Sequence, residues 1–194
     1  MMAVMDRVFD RMEWPLLTER LLIRPAEWED AETTWPFRRL PEVNNWITRA
    51  AVDHDEYVDL FRRPSSLDLT LVIERDLQVI GDLMLHVNDP WSQVEVREQA
   101  VGTQAELGWT LDPAHSGRGY ATEAVEALIT ACFEQLELRR ITAECFAENT
   151  ASWRLMERLG MRREAHTRKD SLHRSGEWKD GLLYAILREE WQQR

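Results

Sequence analysis

The stretch Gly117-Arg118-Gly119-Tyr120-Ala121-Thr122-Glu123-Ala124 constrains this chain more than any other, because it joins a strand-like segment to an amphipathic helix through two glycines. Before it, Ala105-Glu106-Leu107-Gly108-Trp109-Thr110-Leu111 alternates and stops at Asp112-Pro113, as a strand does. After it, Val125, Leu128, Ile129, Cys132, Phe133 and Leu136 recur at i, i+3, i+4, i+7, i+8 and i+11, one face of a helix running to about Gln135. The two glycines let the backbone turn tightly and leave the amides of Gly117, Arg118, Gly119, Tyr120 and Ala121 uncovered ahead of the helix. A helix N-terminus carries roughly half a unit of positive charge, so a phosphate or pyrophosphate is its natural occupant. Arg118 would add a full charge. Taken alone, a Gly-x-Gly turn is also an ordinary loop, and its surroundings have to decide.

Those surroundings read as one mixed domain. Leu16 to Arg24 is a first strand, followed by a helix from about Glu27 through Trp35 that Pro36 stops. Helical segments at Pro41 to Trp46 and Asp53 to Arg63 follow, until Pro64 breaks the pattern. Leu67, Leu69, Leu71 and Ile73 alternate, and Val79 to Val87 does the same after a turn at Arg75-Asp76, which predicts a hairpin. Residues 88 to 103 lack periodicity and read as a loop insertion carrying Asp89, Glu95 and Glu98. Ile141 to Phe146 is the next strand, and Asn149-Thr150-Ala151-Ser152 opens a short helix closed by Gly160. Two last strands, Met161 to Thr167 and Leu182 to Leu187, flank a polar loop from Lys169 to Asp180.

Composition narrows the function classes. With 194 residues, 44% hydrophobic and 30% charged, the chain suits a single globular domain, and no uncharged apolar run approaches the roughly 18 residues of a membrane span. Met1 to Pro15 lacks a signal peptide's apolar core, so a cytoplasmic location is expected. Only Cys132 and Cys145 are present, without metal-ligand spacing, and both are expected to be buried thiols rather than a disulfide. The net charge of −11 is uneven: residues 138–194 hold 12 Lys/Arg against 9 Asp/Glu, and the first 137 hold 12 against 26. Such a chain is a poor nucleic-acid binder. The acid excess either attracts a cationic substrate or merely aids solubility. Of the nine tryptophans, Trp46, Trp91 and Trp178 fall near irregular segments and are candidates to line a pocket.

Several motifs then combine. They are Leu17-Thr18-Glu19-Arg20-Leu21-Leu22-Ile23-Arg24-Pro25, Ile80-Gly81-Asp82, Glu106-Leu107-Gly108-Trp109 and Gly117 to Ala124. Further on come Glu148-Asn149-Thr150-Ala151-Ser152, Glu157-Arg158-Leu159-Gly160-Met161, Trp178-Lys179-Asp180 and Tyr184-Ala185-Ile186-Leu187-Arg188. Through them the chain resembles the GNAT superfamily of acetyl-CoA-dependent N-acetyltransferases, and within it the branch similar to the ribosomal-protein Nα-acetyltransferases RimJ and RimL. The resemblance implies an α/β (mixed α+β) fold in a single GNAT-type domain over residues 1–194. About 16–191 is the recognisable part and 1–15 an N-terminal extension. It implies a central, mostly antiparallel mixed sheet with two splayed parallel strands, flanked by helices. The family's pyrophosphate loop, Arg/Gln-x-x-Gly-x-Gly/Ala, falls on Ser116, Gly119 and Ala121, with Ser116 departing at the first position.

The implied chemistry moves an acetyl group from acetyl-CoA, with no metal, to a primary amine. The amine must lose a proton, and Glu106 is the first candidate for general base, with His86 on the neighbouring strand in reserve. Main-chain donors around Leu107, Gly108 and Trp109 would meet the thioester carbonyl. Asn149 would contact the pantetheine arm and Ser152 would protonate the departing thiolate, although the same pair is a good local helix cap. The acceptor would lie among residues 27–63, the 88–103 loop and the 169–180 loop. It is expected to be a peptide or protein N-terminus. The alternatives are a small cationic amine (polyamine, amino sugar or antibiotic) and a non-catalytic CoA-binding module. No nucleic acid or membrane partner is expected, and a homodimer is left open.

Overall fold

The computed structural model describes residues 7–194. Residues 1–6 of the expected N-terminal extension lie outside the described residues; Phe9 and Met12 from its remainder pack into the main core.

Eight strands form one sheet in the order β1-β2-β3-β4-β5-β6-β8-β7. They are β1 (Leu16–Leu17), β2 (Leu22–Pro25), β3 (Thr70–Arg75), β4 (Gln78–Asn88), β5 (Gln104–Leu111), β6 (Arg140–Phe146), β7 (Arg162–Leu172) and β8 (Trp178–Leu187). Every neighbouring pair is antiparallel except β5 and β6, which run parallel. Their register covers only Gln104↔Arg140, Ala105↔Ile141 and Glu106↔Thr142. Past Glu106 the two strands part, β5 staying with β4 to Leu111 and β6 with β8 to Phe146. This single-domain, eight-stranded mixed sheet with its splayed parallel pair is the fold that the resemblance implied.

The helix α5 (Tyr120–Glu134) covers one face of the sheet, burying Ala124, Val125, Leu128, Ile129 and Cys132 against Leu83, Leu85, Ala105, Leu107 and Ile141. Its six-position apolar spacing carries this packing. Val72 of β3 belongs to a second apolar cluster, with Ala26, with Ala31 of α1 (Asp30–Arg38) and with Val58 and Phe61 of α3 (His54–Phe61). The short α2 (Pro41–Asn44) and α4 (Pro64–Leu67) connect these segments; α6 (Thr150–Arg158) and α7 (Arg188–Gln192) complete the chain.

Four expectations change. Leu16 to Arg24 is two strands rather than one, because Thr18 closes a turn: its N–H donates to Leu21 O at 3.0 Å and its Oγ1 accepts from Leu21 N at 2.9 Å. Pro36 does not stop α1, which continues to Arg38; the lost backbone bond is offset where Arg38 forks onto the buried Asp82 of β4. Leu67 closes a helical turn and β3 begins only at Thr70, since Pro64 both ends α3 and opens α4 at its first position. The polar 169–180 segment is mostly strand, which leaves only residues 173–177 as the β7–β8 turn. β7 is an edge strand with little buried surface, so the apolar alternation that reveals a strand is missing. A bulge at Thr167–Ser171 is filled by Asp180, whose carboxylate accepts from Lys169 N at 3.0 Å and from Arg168 Nη1 at 2.9 Å.

Candidate active site

The parting of β5 and β6 opens a cleft of about 1120 Å³. At one end it is lined by Ser116, Gly117, Gly119, Tyr120, Ala121 and Thr122, at the fork by Glu106 to Leu111, Glu144 and Cys145, and opposite by Arg38, Glu42, Trp46 and Arg49.

The first end is built as an anion cradle. Gly117 and Gly119 have φ of 73° and 82°, a region L-residues seldom occupy. A Cβ at Gly117 would meet nothing within 4 Å, so that main-chain face stands open. Among the described residues, the N–H groups of 117 to 122 donate to no protein acceptor, whereas those of His115, Ser116 and Glu123 all do. Six free donors at the N-terminus of a 15-residue helix fit a pyrophosphate without further help. Arg158, from the end of α6, reaches this end as well, with Nη2 donating to Thr122 Oγ1 at 3.4 Å.

At the fork, Glu106 is the last β5 residue paired with β6, and Leu107 to Trp109 have no partner on that side. Asn149 and Ser152 stand at the start of α6, both on the cleft wall, and Asn149 Oδ1 accepts from Ser152 N at 3.3 Å. The capping role is therefore realised, and it leaves the Ser152 hydroxyl on the cleft side without a protein partner among the described residues.

Unpaired acid is spread over the fork and the opposite end. Arg38 and Asp82 form a forked, largely buried pair; burial works against the Arg38 charge, but Asp82 outweighs it and holds the guanidinium above its ordinary pKa. Arg49 is paired with Glu56 at 3.0 Å. Glu42, Glu106 and Glu144 have no cation or donor within bonding distance among the described residues. Loss of hydration raises the Glu144 pKa, and the negative charges of Glu106 and Asp170 add to it.

A protein-family model for the acetyltransferase (GNAT) domain matches residues 20–162. The chain belongs to the GNAT acetyltransferase family. Over 180 residues this acetyltransferase is 28% identical to the N-acetyltransferase YnaD of Bacillus subtilis, spanning 91% of this chain and 98% of that one. It is 32% identical over 85 residues to the [ribosomal protein uS5]-alanine N-acetyltransferase of Escherichia coli, 44% of this chain and 43% of that one. Among solved structures, a GNAT-family acetyltransferase from Bacillus anthracis superposes with TM-score 0.76 at 30% identity, over 91% of this chain and 99% of that one. Mycobacterium smegmatis RimJ, in complex with CoA-disulfide, superposes with TM-score 0.70 at 25% identity, over 88% and 83%. The enzyme is an acetyl-CoA-dependent N-acetyltransferase with RimJ/RimL-like relatives.

In the GNAT enzyme the expected residues fall into three groups. Glu106, Leu107, Gly108, Trp109, Gly117, Gly119, Tyr120, Ala121, Asn149 and Ser152 all line the cleft. Two of them contribute backbone rather than side chain: Leu107 and Tyr120 are 3% and 4% exposed and point into the core. Arg118 and His86 do not line the cleft; Arg118 offers its carbonyl to Arg20, and His86 sits opposite Glu106 on β4 but exposed, beyond the cleft.

Of the three expected acceptor regions, 27–63 lines the cleft through Arg38, Glu42, Trp46 and Arg49. No residue of 88–103 or 169–180 lines the cleft. Asp89 accepts from Gly102 N at 2.7 Å, Asp53 caps α3, and Trp91 and Trp178 are 90% and 57% exposed. Trp46 does line the cleft, tilted against Phe146 and His173. Cys132 is buried, but Cys145 is only half-buried and lines the cleft, its thiol pushed up to about 11, chiefly by burial. Arg38, Glu42 and Glu144 carry no local signal of their place in the cleft, and Arg158 is visible in the sequence only as part of a motif. Glu144 sat within a recognised strand, where alternation marks it as outward-facing and nothing marks what it faces. Among the described residues no helix is long and apolar enough to cross a membrane, and no cluster of three His, Cys, Asp or Glu side chains has metal-binding geometry.

Proposed function

We propose that this enzyme moves the acetyl group of acetyl-CoA directly to the amine of a peptide or protein N-terminus. The observation that carries the reading is that one cleft runs from the Gly117–Thr122 turn to Arg38, Glu42 and Arg49, with Glu106 at the fork between them. Acetyl-CoA, when bound, supplies an activated acyl carbon. The amides of 117–122 hold its pyrophosphate, and the unpaired edge of β5 at Leu107 to Trp109 donates to the acyl oxygen as charge develops there. Glu106 takes the proton that the ammonium must lose before its nitrogen can attack, directly or through water, since an N-terminal amine has a pKa of about 8. Asn149 contacts the pantetheine arm, and Ser152 gives its proton to the departing sulfur as the C–S bond breaks, regaining one through water from the nitrogen, which sheds its second proton to become the amide.

The likeness to the uS5-alanine acetyltransferase supports a polypeptide acceptor. One observation favours a second reading, a small cationic amine: Glu106 and Glu144 at the fork and Glu42 beyond it line the cleft without a paired cation. The test is thiol release on mixing with acetyl-CoA and a panel of unblocked peptides, their N-blocked forms, a polyamine and an amino sugar. Release with unblocked peptides alone is the expected result. Release only with small amines would move the assignment, and tight CoA binding without release for any amine would overturn catalysis.

A further inference from the structure

We infer that Arg20 is a positioning residue for the phosphate-binding turn, aiming the N–H of Gly119 into the cleft. The inference rests on residues 117–122 being the pyrophosphate site. Arg20 lies in the β1–β2 turn, about a hundred positions earlier in the chain, and is not part of the cleft wall. Two residues of that turn grip Glu123, in the first turn of α5. Thr18 Oγ1 donates to Glu123 Oε1 at 2.6 Å, and Arg20 N donates to the same oxygen at 3.0 Å. Arg20 Nε donates to Oε2 at 2.7 Å, with Nη2 at 2.5 Å. The fork fixes the guanidinium, which also lies 4.6 Å over the Tyr120 ring, and Nη1 then donates to Arg118 O at 3.0 Å.

That last bond sets a direction. In a regular helix the Arg118 carbonyl would accept from Thr122 N–H, four residues on; here Arg20 holds it, and the Thr122 N–H stays free. The Arg118–Gly119 peptide is trans, so its C=O and N–H point opposite ways. A carbonyl held from outside the cleft turns the Gly119 N–H inward.

The same contact removes a charge conflict. Glu123 would otherwise present a bare carboxylate one turn from a bound phosphate. Burial works to raise its pKa, but the bonds from Thr18 and Arg20 outweigh that and hold it below the usual carboxylate range, so it is ionised and matched by the guanidinium.

Calorimetry with CoA and kinetics with two acyl donors test this. Arg20→Ala is expected to weaken CoA binding roughly 10- to 100-fold, Arg20→Lys less, because it restores charge without the fork. Arg20→Ala/Glu123→Ala is expected to bind more tightly than Arg20→Ala, since the bare carboxylate is gone. With S-acetyl-pantetheine, which lacks the pyrophosphate, kcat/KM should be unchanged in Arg20→Ala while it falls with acetyl-CoA. Folding is checked by melting, and if Arg20→Ala does not fold, Arg20→Lys is read by the same two ratios. A folded variant that binds CoA within twofold of the parent, or equal losses with both donors, would overturn the role. Failure of the unmutated enzyme to bind CoA would instead overturn the site reading.

Discussion

Replacing Gly119 with aspartate separates backbone strain from charge at the proposed phosphate site. Gly119 sits at φ 82°, so any L-residue there costs about 1–2 kcal/mol. Its new Cβ would meet only Arg20 Nη2, at 3.4 Å, the far end of a side chain that can give. Gly119→Ala therefore measures strain alone, expected as a fall in Tm of roughly 2–8 °C. Gly119→Asp adds a carboxylate, and Arg20 cannot neutralise it fully because it is already shared with Glu123. At about 5 Å from a phosphate charge, Coulomb repulsion is roughly 0.8 kcal/mol in water and about 3 kcal/mol at an effective dielectric of 20. Two phosphate charges bring the total to about 2–6 kcal/mol, a loss of affinity of at least ~30-fold. Calorimetric titration with CoA, on variants shown to be folded by their melting curves, reads both effects. A folded Gly119→Asp protein with a Kd within threefold of Gly119→Ala would refute the placement of phosphate at this turn.

Glu106→Gln is expected to lower kcat by roughly 10²- to 10⁴-fold and flatten its pH dependence while the CoA Kd stays unchanged; Ser152→Ala should cost about tenfold in the same steady-state assay. For a cationic acceptor kcat/KM should fall as salt rises, because exposed charges are screened within about 10 Å at 0.1 M. Glu42→Gln/Glu144→Gln should flatten that dependence, whereas Glu95→Gln/Glu98→Gln, outside the cleft, should leave it alone; an equal effect of both pairs would place the attraction in net charge. Asp82→Asn strands a largely buried guanidinium on Arg38 and should cost roughly 2–4 kcal/mol, about 5–15 °C in Tm by thermal melt. A change below 1 kcal/mol would show that the pair is not a structural tie between α1 and the sheet.

The strand–glycine turn–helix unit can be read without the fold, because each part is local. Alternation over 105–111, the two glycines and the 3.6-residue period after Tyr120 are properties of neighbouring residues, and together with the motifs they pointed to the fold, the family and the anion cradle. Asn149 as a helix cap was legible for the same reason. Tertiary structure alone decided what shares the cleft. Glu106 and Glu144 are neighbours only because the parallel strands part after three paired residues, a property of register that no local pattern encodes. Arg38 crosses Pro36 to reach Asp82, overriding a local stop signal with a buried charge pair. The acidic loop of 88–103 looked suited to an acceptor by composition, yet its chain path keeps it off the cleft wall. Arg20 was visible as part of a motif, but its partners lie about a hundred residues away, and hydrogen bonds at that separation are written only in the folded chain.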